Sequence, residues 1–469
     1  MKVLFLNPPY PARLTRRYMC TYVSAVSLFP PYELMSVAGV VREMPDTEVK
    51  LIDCVAGNIN DLQLLDEIRS FRPDVILTLI GLESFTIDTN CVRLIKENFP
   101  EPVQVIFGHY PTLFPEEILS KVPADIIIKG EPDETLQDII EALQEKRTWA
   151  DVAGIAYRSE VDAVKVTPNK GRIKDLNKFP LPAHDLINAH NYYEPMMPGP
   201  FAMIQTSRGC PFSCNYCITS FGTKFVTKSA EVVIGELKLL KQLHNISSFR
   251  IIDDTFTINK SRVIQICQAM IDEGLDLKWS CLSRADTVSL EMLEWMKRAG
   301  CVRIYFGLES GSQRILDYYK KGIVLETARQ TLDWCDQVGI ESAGLFMAGL
   351  PEETEADLDA TIQFAVRSGL TYAGVGELTP YPGTELYELL KDQVEFSLFP
   401  YVHRFKDPSI TEKAMRYRDL FHQRFYMRKR SLWKLSGIAL KDIPNAVLLV
   451  RRIVSARNYG TKLYPYLHN

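Results

Sequence analysis

No apolar run in the 469-residue chain reaches the length of about 18 residues that a membrane-spanning helix needs, so no spanning helix is expected. The opening stretch MKVLFLNPPYPARLTRR breaks at Pro8 and Pro9, too early for the apolar core of a signal peptide, and the expectation is a cytoplasmic protein. Low-complexity tracts and repeats are missing, which excludes fibrous, solenoid and disordered classes. Cysteine is scarce, with ten residues in the chain. In a reducing compartment that excludes a disulfide scaffold and leaves metal or redox roles for any cluster. What remains is an ordinary globular composition, 46% hydrophobic and 24% charged with a net charge of −4, in a chain long enough for two or three domains.

Against that scarcity, SRGCPFSCNYC (Ser207–Cys217) crowds Cys210, Cys214 and Cys217 into eight positions. Chance would place such a triple roughly 0.004 times in a chain of this composition. Structural zinc sites present a second C-x2-C pair, and none follows. A three-cysteine zinc knot would need His184 or His190 as its fourth ligand. Three cysteines just after a strand, with no fourth ligand, suit a four-iron cluster with one iron left open to bind another molecule. The other cysteines (Cys20, Cys54, Cys91, Cys267, Cys281, Cys301 and Cys335) are scattered and read as small buried apolar residues.

Residues 1–145 alternate short apolar runs, such as VLFLN, VKLID, DVILTLI, VQVIF and DIIIK, with helix-type spacing. This predicts a doubly wound α/β domain with a parallel sheet, which binds ligands at the carboxyl ends of its strands. Residues 146–200 read as a connector containing a strand pair around GIAYRSEVDAVKV, then a linker with five prolines between Phe179 and Pro200. Residues 201–392 carry six further strand-and-helix units, from AMIQTS to AGVGEL, which favours a partial (β/α)6 barrel over a full eight. Gly300 and Gly369 fall where helix C-caps belong. Residues 393–469 read as a basic helical extension.

The spacing of Cys210, Cys214 and Cys217, with Tyr216 as the aromatic before the last cysteine, resembles the CxxxCxΦC motif of the radical S-adenosylmethionine superfamily. The resemblance implies a 4Fe-4S cluster on these three cysteines and an open iron that chelates S-adenosylmethionine. It also implies reductive cleavage to a 5′-deoxyadenosyl radical, fed by an electron donor such as flavodoxin or ferredoxin. Further motifs stand in order at the ends of later strands: IIDDTF with Asp253 and Asp254, CLSRAD with Ser283 and Arg284, and YFGLESGS with Gly307, Glu309 and Ser310. These resemble the superfamily's contacts to S-adenosylmethionine. The usual glycine-glycine-glutamate after the second strand is absent, and DDTF stands there instead.

That substitution resembles the branch with an N-terminal cobalamin-binding domain. FGHYPTLFPEE and IIIKGEPDETL resemble its recurring turns. By resemblance Asn7, Ser84, Gly108, His109, Thr112, Gly130 and Glu131 would contact cobalamin. The D-x-H-x-x-G motif that supplies a cobalt ligand elsewhere is lacking, since DCVAGN holds Asp53 and no histidine. The resemblance implies methyl transfer to an unactivated carbon of a small or lipid-like substrate. Ring formation and skeletal rearrangement within the same branch are the alternatives. Two further readings stand beside these: an RNA methylthiotransferase with a second cluster on Cys20, Cys54 and Cys91, and a redox-sensing iron–sulfur protein.

From Tyr401 to Asn469, fifteen Lys or Arg stand against four Asp or Glu, leaving the first 400 residues at −15. FHQRFYMRKRSLWKL and AVLLVRRIVSAR mix cations with aromatics and apolar residues. Such helices pack on an acidic neighbour or lie on anionic lipid, here the inner membrane face, and the tail is not read as a nucleic-acid binder.

Overall fold

The computed structural model describes residues 1–447 apart from 19, 25, 160, 219, 220, 442, 444 and 445. The stretch from Leu448 to Arg457, the larger part of AVLLVRRIVSAR, lies outside the described residues.

The first sheet contains β1 (Lys2–Asn7), β2 (Glu48–Asp53), β3 (Val75–Leu79), β4 (Val103–Phe107), β5 (Ile126–Ile128), β6 (Ile155–Arg158) and β7 (Val164–Val166), in the order β2-β1-β3-β4-β5-β6-β7. Its first five strands are parallel. They are apolar on both faces because helices cover both, as with Val3, Phe5, Leu4 and Leu6 in two separate cores. The strand order reverses beside β1, which opens a crevice above the carboxyl ends of β1 and β3. The strand pair expected in the connector joins this sheet, β6 running antiparallel to β5 and β7 to β6. The first unit therefore extends through Val166. The pair covers what would otherwise be the bare edge of β5.

The second sheet is a six-stranded open barrel, all parallel and in chain order: β8 (Phe201–Ile204), β9 (Ser248–Ile251), β10 (Lys278–Ser283), β11 (Cys301–Glu309), β12 (Glu341–Ala348) and β13 (Tyr372–Glu377). Gly300 takes φ +93° just past helix Leu290–Arg298, and a Cβ there would lie 2.1 Å from the Leu277 carbonyl. Gly369 is different: it is absent from the positive-φ residues, and its helix ends at Ser368 in extended conformation. A Cβ at Gly369 would stand 3.0 Å from the Leu332 carbonyl, so close approach, not a left-handed cap, uses the glycine.

The proline-rich linker closes the barrel floor. Glu194, buried, pairs with Arg250 at 2.8 Å and accepts from Ser280 at 2.8 Å and Tyr305 at 2.7 Å. Arg303 adds a bridge to Glu341 at 2.7 Å. Burial alone would raise the Glu194 carboxyl, but Arg250 and Arg303 bring it below its usual range.

The C-terminal region opens with a hairpin, not a helix. β14 (Val394–Leu398) and β15 (Tyr401–Phe405) pair antiparallel and place Phe396, Phe399 and Tyr401 against Phe85 and Tyr110 of the first unit. Helix Pro408–Tyr426 then buries Tyr417, Phe421 and Phe425 on the barrel. Arg430 and Lys434 of the next helix, Lys429–Lys441, bind Asp336. The basic segment thus docks on the acidic barrel. No helix among the described residues is long and apolar enough to cross a membrane.

Candidate active site between the two sheets

The cysteine loop leaves the end of β8 and is closed by a two-residue ladder, Ser207–Arg208 against Val226–Thr227. Gly209, at φ +86°, lets the Lys224 carbonyl approach where a Cβ would lie 2.2 Å from it. The amide of Cys210 donates to Gly222 O at 3.1 Å, and Asn215 is pinned by Tyr319 O and by Leu386 N. This presents three free, half-buried thiols. Burial, then the charges of Cys214 and Asp254, push the Cys217 thiol up to about 12. No three His, Cys, Asp or Glu side chains among the described residues close on a single-ion geometry, whereas a cubane needs its three thiols apart. His184 is committed elsewhere, bonded to Glu236 at 3.0 Å, and His190 is exposed.

Several predicted residues gather beside this loop. Arg284 reaches Cys214 Sγ at 3.5 Å, stacks over Phe212 at 3.7 Å and is held by Asp286 at 2.8 Å. Glu309 pairs with Lys321 at 2.9 Å, and Lys321 also donates to Tyr216 OH at 3.0 Å. Glu309 sits at φ +63° at a register shift in β11, a conformation that surrounding packing must hold. Gly307 makes room for the pair, since a Cβ there would lie 2.5 Å from Glu309 Oε1. Asp254 lies within electrostatic reach of Cys217. Burial raises its carboxyl to about 6 although Arg17 pulls it down.

Others turn inward. Asp253 is fully buried and accepts from the amide and hydroxyl of Thr206 and from Ser207 Oγ. Of this pair Asp253 is used up on the root of the loop, while Asp254 remains within electrostatic reach of Cys217. Ser283 bonds Thr257, and Ser310 bonds Thr361 at 3.0 Å.

Across the gap, Gly108 takes φ +146° with Ile80 O 2.4 Å from its would-be Cβ, while Gly130, at φ +86°, opens on space where a Cβ would meet nothing within 4 Å. Thr112 Oγ1 accepts from Gly130 N at 3.1 Å and contacts Tyr18 OH at 2.7 Å. Asn7 and Ser84 are bound into a buried Arg16–Asp88 pair, with Asn7 2.9 Å and Ser84 3.2 Å from the Arg16 guanidinium. His109 Nε2 stands 3.1 Å from Pro382 O, so its ring serves the contact with the barrel. Glu131 is paired with Arg172 at 2.7 Å and Arg208 at 3.0 Å.

Sequence reasoning missed Lys321, Arg208, Arg172 and the walls of the gap. Cys20 is exposed within reach of Asp254, Arg17 and Glu33. Tyr381, from the barrel, donates to Glu83 of the first unit at 2.5 Å. Glu33 Oε2 and Arg172 Nη2 are buried without a partner among the described residues, the condition of groups that await a ligand. The Arg before the first cysteine and the paired lysines of YYKKG were the available signals. The three corner thiols, the open Gly130 turn and these orphaned atoms fit a cluster and a large amide-rich cofactor.

The Radical SAM superfamily profile matches residues 204–365 and the B12 binding domain profile residues 20–140. The chain belongs to the radical S-adenosylmethionine superfamily, in the branch with a cobalamin-binding domain, and its cofactors are a 4Fe-4S cluster, S-adenosylmethionine and cobalamin. It is 34% identical over 83% of its length, and 83% of the relative's, to an uncharacterized methyltransferase, PH0819, of Pyrococcus horikoshii. It is 26% identical to the anaerobic magnesium-protoporphyrin IX monomethyl ester cyclase of Cereibacter sphaeroides, covering 92% of this chain and 71% of that one. Its fold resembles the cobalamin-dependent S-adenosylmethionine radical enzyme OxsB with aqua-cobalamin bound, at TM-score 0.66 and 21% identity, covering 84% of this chain and 55% of that one.

Proposed function

We propose that the protein transfers a methyl group to an unactivated carbon of a small or lipophilic substrate. The observation that carries this is the facing of the two sites: the cysteine loop and the Gly130 turn share Arg208, so both cofactors would border one gap. When bound, the cluster and S-adenosylmethionine supply the hydrogen-abstracting radical, and methylcobalamin supplies the methyl group. Cys210, Cys214 and Cys217 would hold three corners of the cluster. Tyr216 and the Glu309–Lys321 pair stand beside the cysteine loop, where they would hold S-adenosylmethionine, and Arg284 places a cation beside Cys214. Asp253 holds the root of the loop through Thr206 and Ser207. The Phe396, Phe399 and Tyr401 contacts with Phe85 and Tyr110 seal one edge of the gap against water, which would quench radicals.

The test is anaerobic reconstitution with S-adenosylmethionine and dithionite or reduced flavodoxin. Iron of about four per chain, a bound-cobalamin spectrum and 5′-deoxyadenosine are expected; none of the last from cluster-loaded protein would sink the reading. The cyclase relative favours one second outcome, ring closure: a cyclised product without an added methyl replaces a methylated one.

The lipophilic part of the proposal is supported by helix Lys429–Lys441, which exposes Leu432, Trp433 and Leu440 in a basic segment. Sedimentation with anionic liposomes should fall when the chain is cut after Met427; equal binding would remove the lipid-surface idea.

A further inference from the structure

Arg208 stands two residues before Cys210, and its side chain is 8% exposed. Its Nη1 binds Asp133 at 2.8 Å and Glu131 at 3.0 Å, and its Nη2 binds Asp133 at 3.1 Å. Burial alone would raise the Asp133 carboxyl, but Arg208 brings it below its ordinary range. The guanidinium also lies 5.1 Å from the Phe221 ring, which packs on Tyr18 at 5.9 Å. Tyr18 leads through Thr112 to the amide of Gly130. A second route runs from Glu131 to Arg172, whose Nη1 would lie 2.5 Å from a Cβ on Gly222, the residue whose carbonyl holds the Cys210 amide. These contacts join the cysteine loop to the turn Gly130–Asp133, and the Arg208 and Arg172 branches meet at Glu131.

We infer that Arg208 is a positioning residue through which filling of the cysteine loop tightens the binding of cobalamin at the Gly130 turn. This rests on the cofactor assignment above. Fixing three thiols fixes Arg208, and a fixed Arg208 holds Glu131 and Asp133. The turn is then ordered before cobalamin arrives, so its ordering entropy is lost only once. By linkage, cobalamin must tighten cluster retention by the same factor. Lysine cannot reproduce this geometry, because an ammonium lacks the planar fork with which the guanidinium holds both oxygens of Asp133 while also reaching Glu131.

The test titrates hydroxocobalamin into the full chain, with the cluster reconstituted and with iron stripped by chelator. Wild type should bind about tenfold more tightly when loaded, within the usual range of site-to-site coupling. In Arg208→Lys and Asp133→Asn the ratio should fall below about twofold. Equal affinities in the two wild-type states, or an undiminished ratio in folded variants, would overturn the inference. Should the variants not fold, hydrogen exchange of the cluster-free wild type decides: hydroxocobalamin should slow exchange across Ser207–Cys217, and unchanged exchange overturns the coupling. If hydroxocobalamin binds neither state, the cofactor assignment itself falls, and the coupling with it.

Discussion

The two sheets face one gap with opposite chemistry. The barrel presents side chains: three thiols, Arg284, and the Glu309–Lys321 pair. The first sheet presents mostly backbone, at Gly108 and Gly130, while Asn7, Ser84, His109 and Glu131 at its strand ends already serve neighbours. The difference teaches how each site should fail. A site made of side chains fails when one is removed; a site made of backbone fails when a Cβ is added.

The largest effect should come from Cys214→Ala. A cubane held by two thiols is not retained, so iron content and 5′-deoxyadenosine formation should both drop to background. Hydroxocobalamin binding should weaken only to the level of iron-stripped wild type. A variant that kept its iron would break the comparison at its stronger end.

The glycines sharpen the other end. Gly108→Ala combines an unfavourable φ with a contact of 2.4 Å to Ile80 O. It should lower stability by about 3 kcal/mol or more, read by thermal unfolding. Gly130→Ala meets no atom within 4 Å, so it should cost only the left-handed backbone penalty of about 1–2 kcal/mol. On the proposed reading its methyl would enter the space that cobalamin takes, so the loss should appear in hydroxocobalamin affinity. Equal destabilisation by the two would show that Gly130 does not open on a binding space.

Legibility followed the same division. The barrel's strands and the cysteine loop were readable because their signals are residue types at fixed spacing. Asp253 and Asp254 could not be separated, because only the fold brings Thr206 and Ser207 to Asp253. Gly369 was read as a cap because a glycine's chain position does not reveal whether φ or close approach requires it. The paired lysines of YYKKG marked Lys321 only weakly, because its partner, Glu309, is brought to it by folding. The hairpin Val394–Phe405 was hidden in a segment whose basic and aromatic composition suggested helix, and its β-pairing is stabilised by aromatic contacts with the distant Phe85 and Tyr110.

Glu353 separates the two strand-end environments by pH. Toward the first sheet, Glu131 and Asp133 are paired with arginine. After β12, Glu353 is 4% exposed and its side chain accepts from the amide of Gly349 at 3.2 Å, with no salt bridge to it among the described residues. Burial raises its carboxyl from 4.5 to about 7, with Lys413 only partly opposing. Between those values the folded state holds a proton that the unfolded state has released, so stability falls as pH rises. The whole span amounts to roughly 3 kcal/mol. Glu353→Gln keeps the shape and an acceptor for the Gly349 amide but cannot ionise. The variant should match wild type near pH 4.5 and be more stable by up to about 3 kcal/mol at pH 8. Parallel stability–pH curves from denaturant unfolding would show that Glu353 is as well compensated as the carboxylates across the gap.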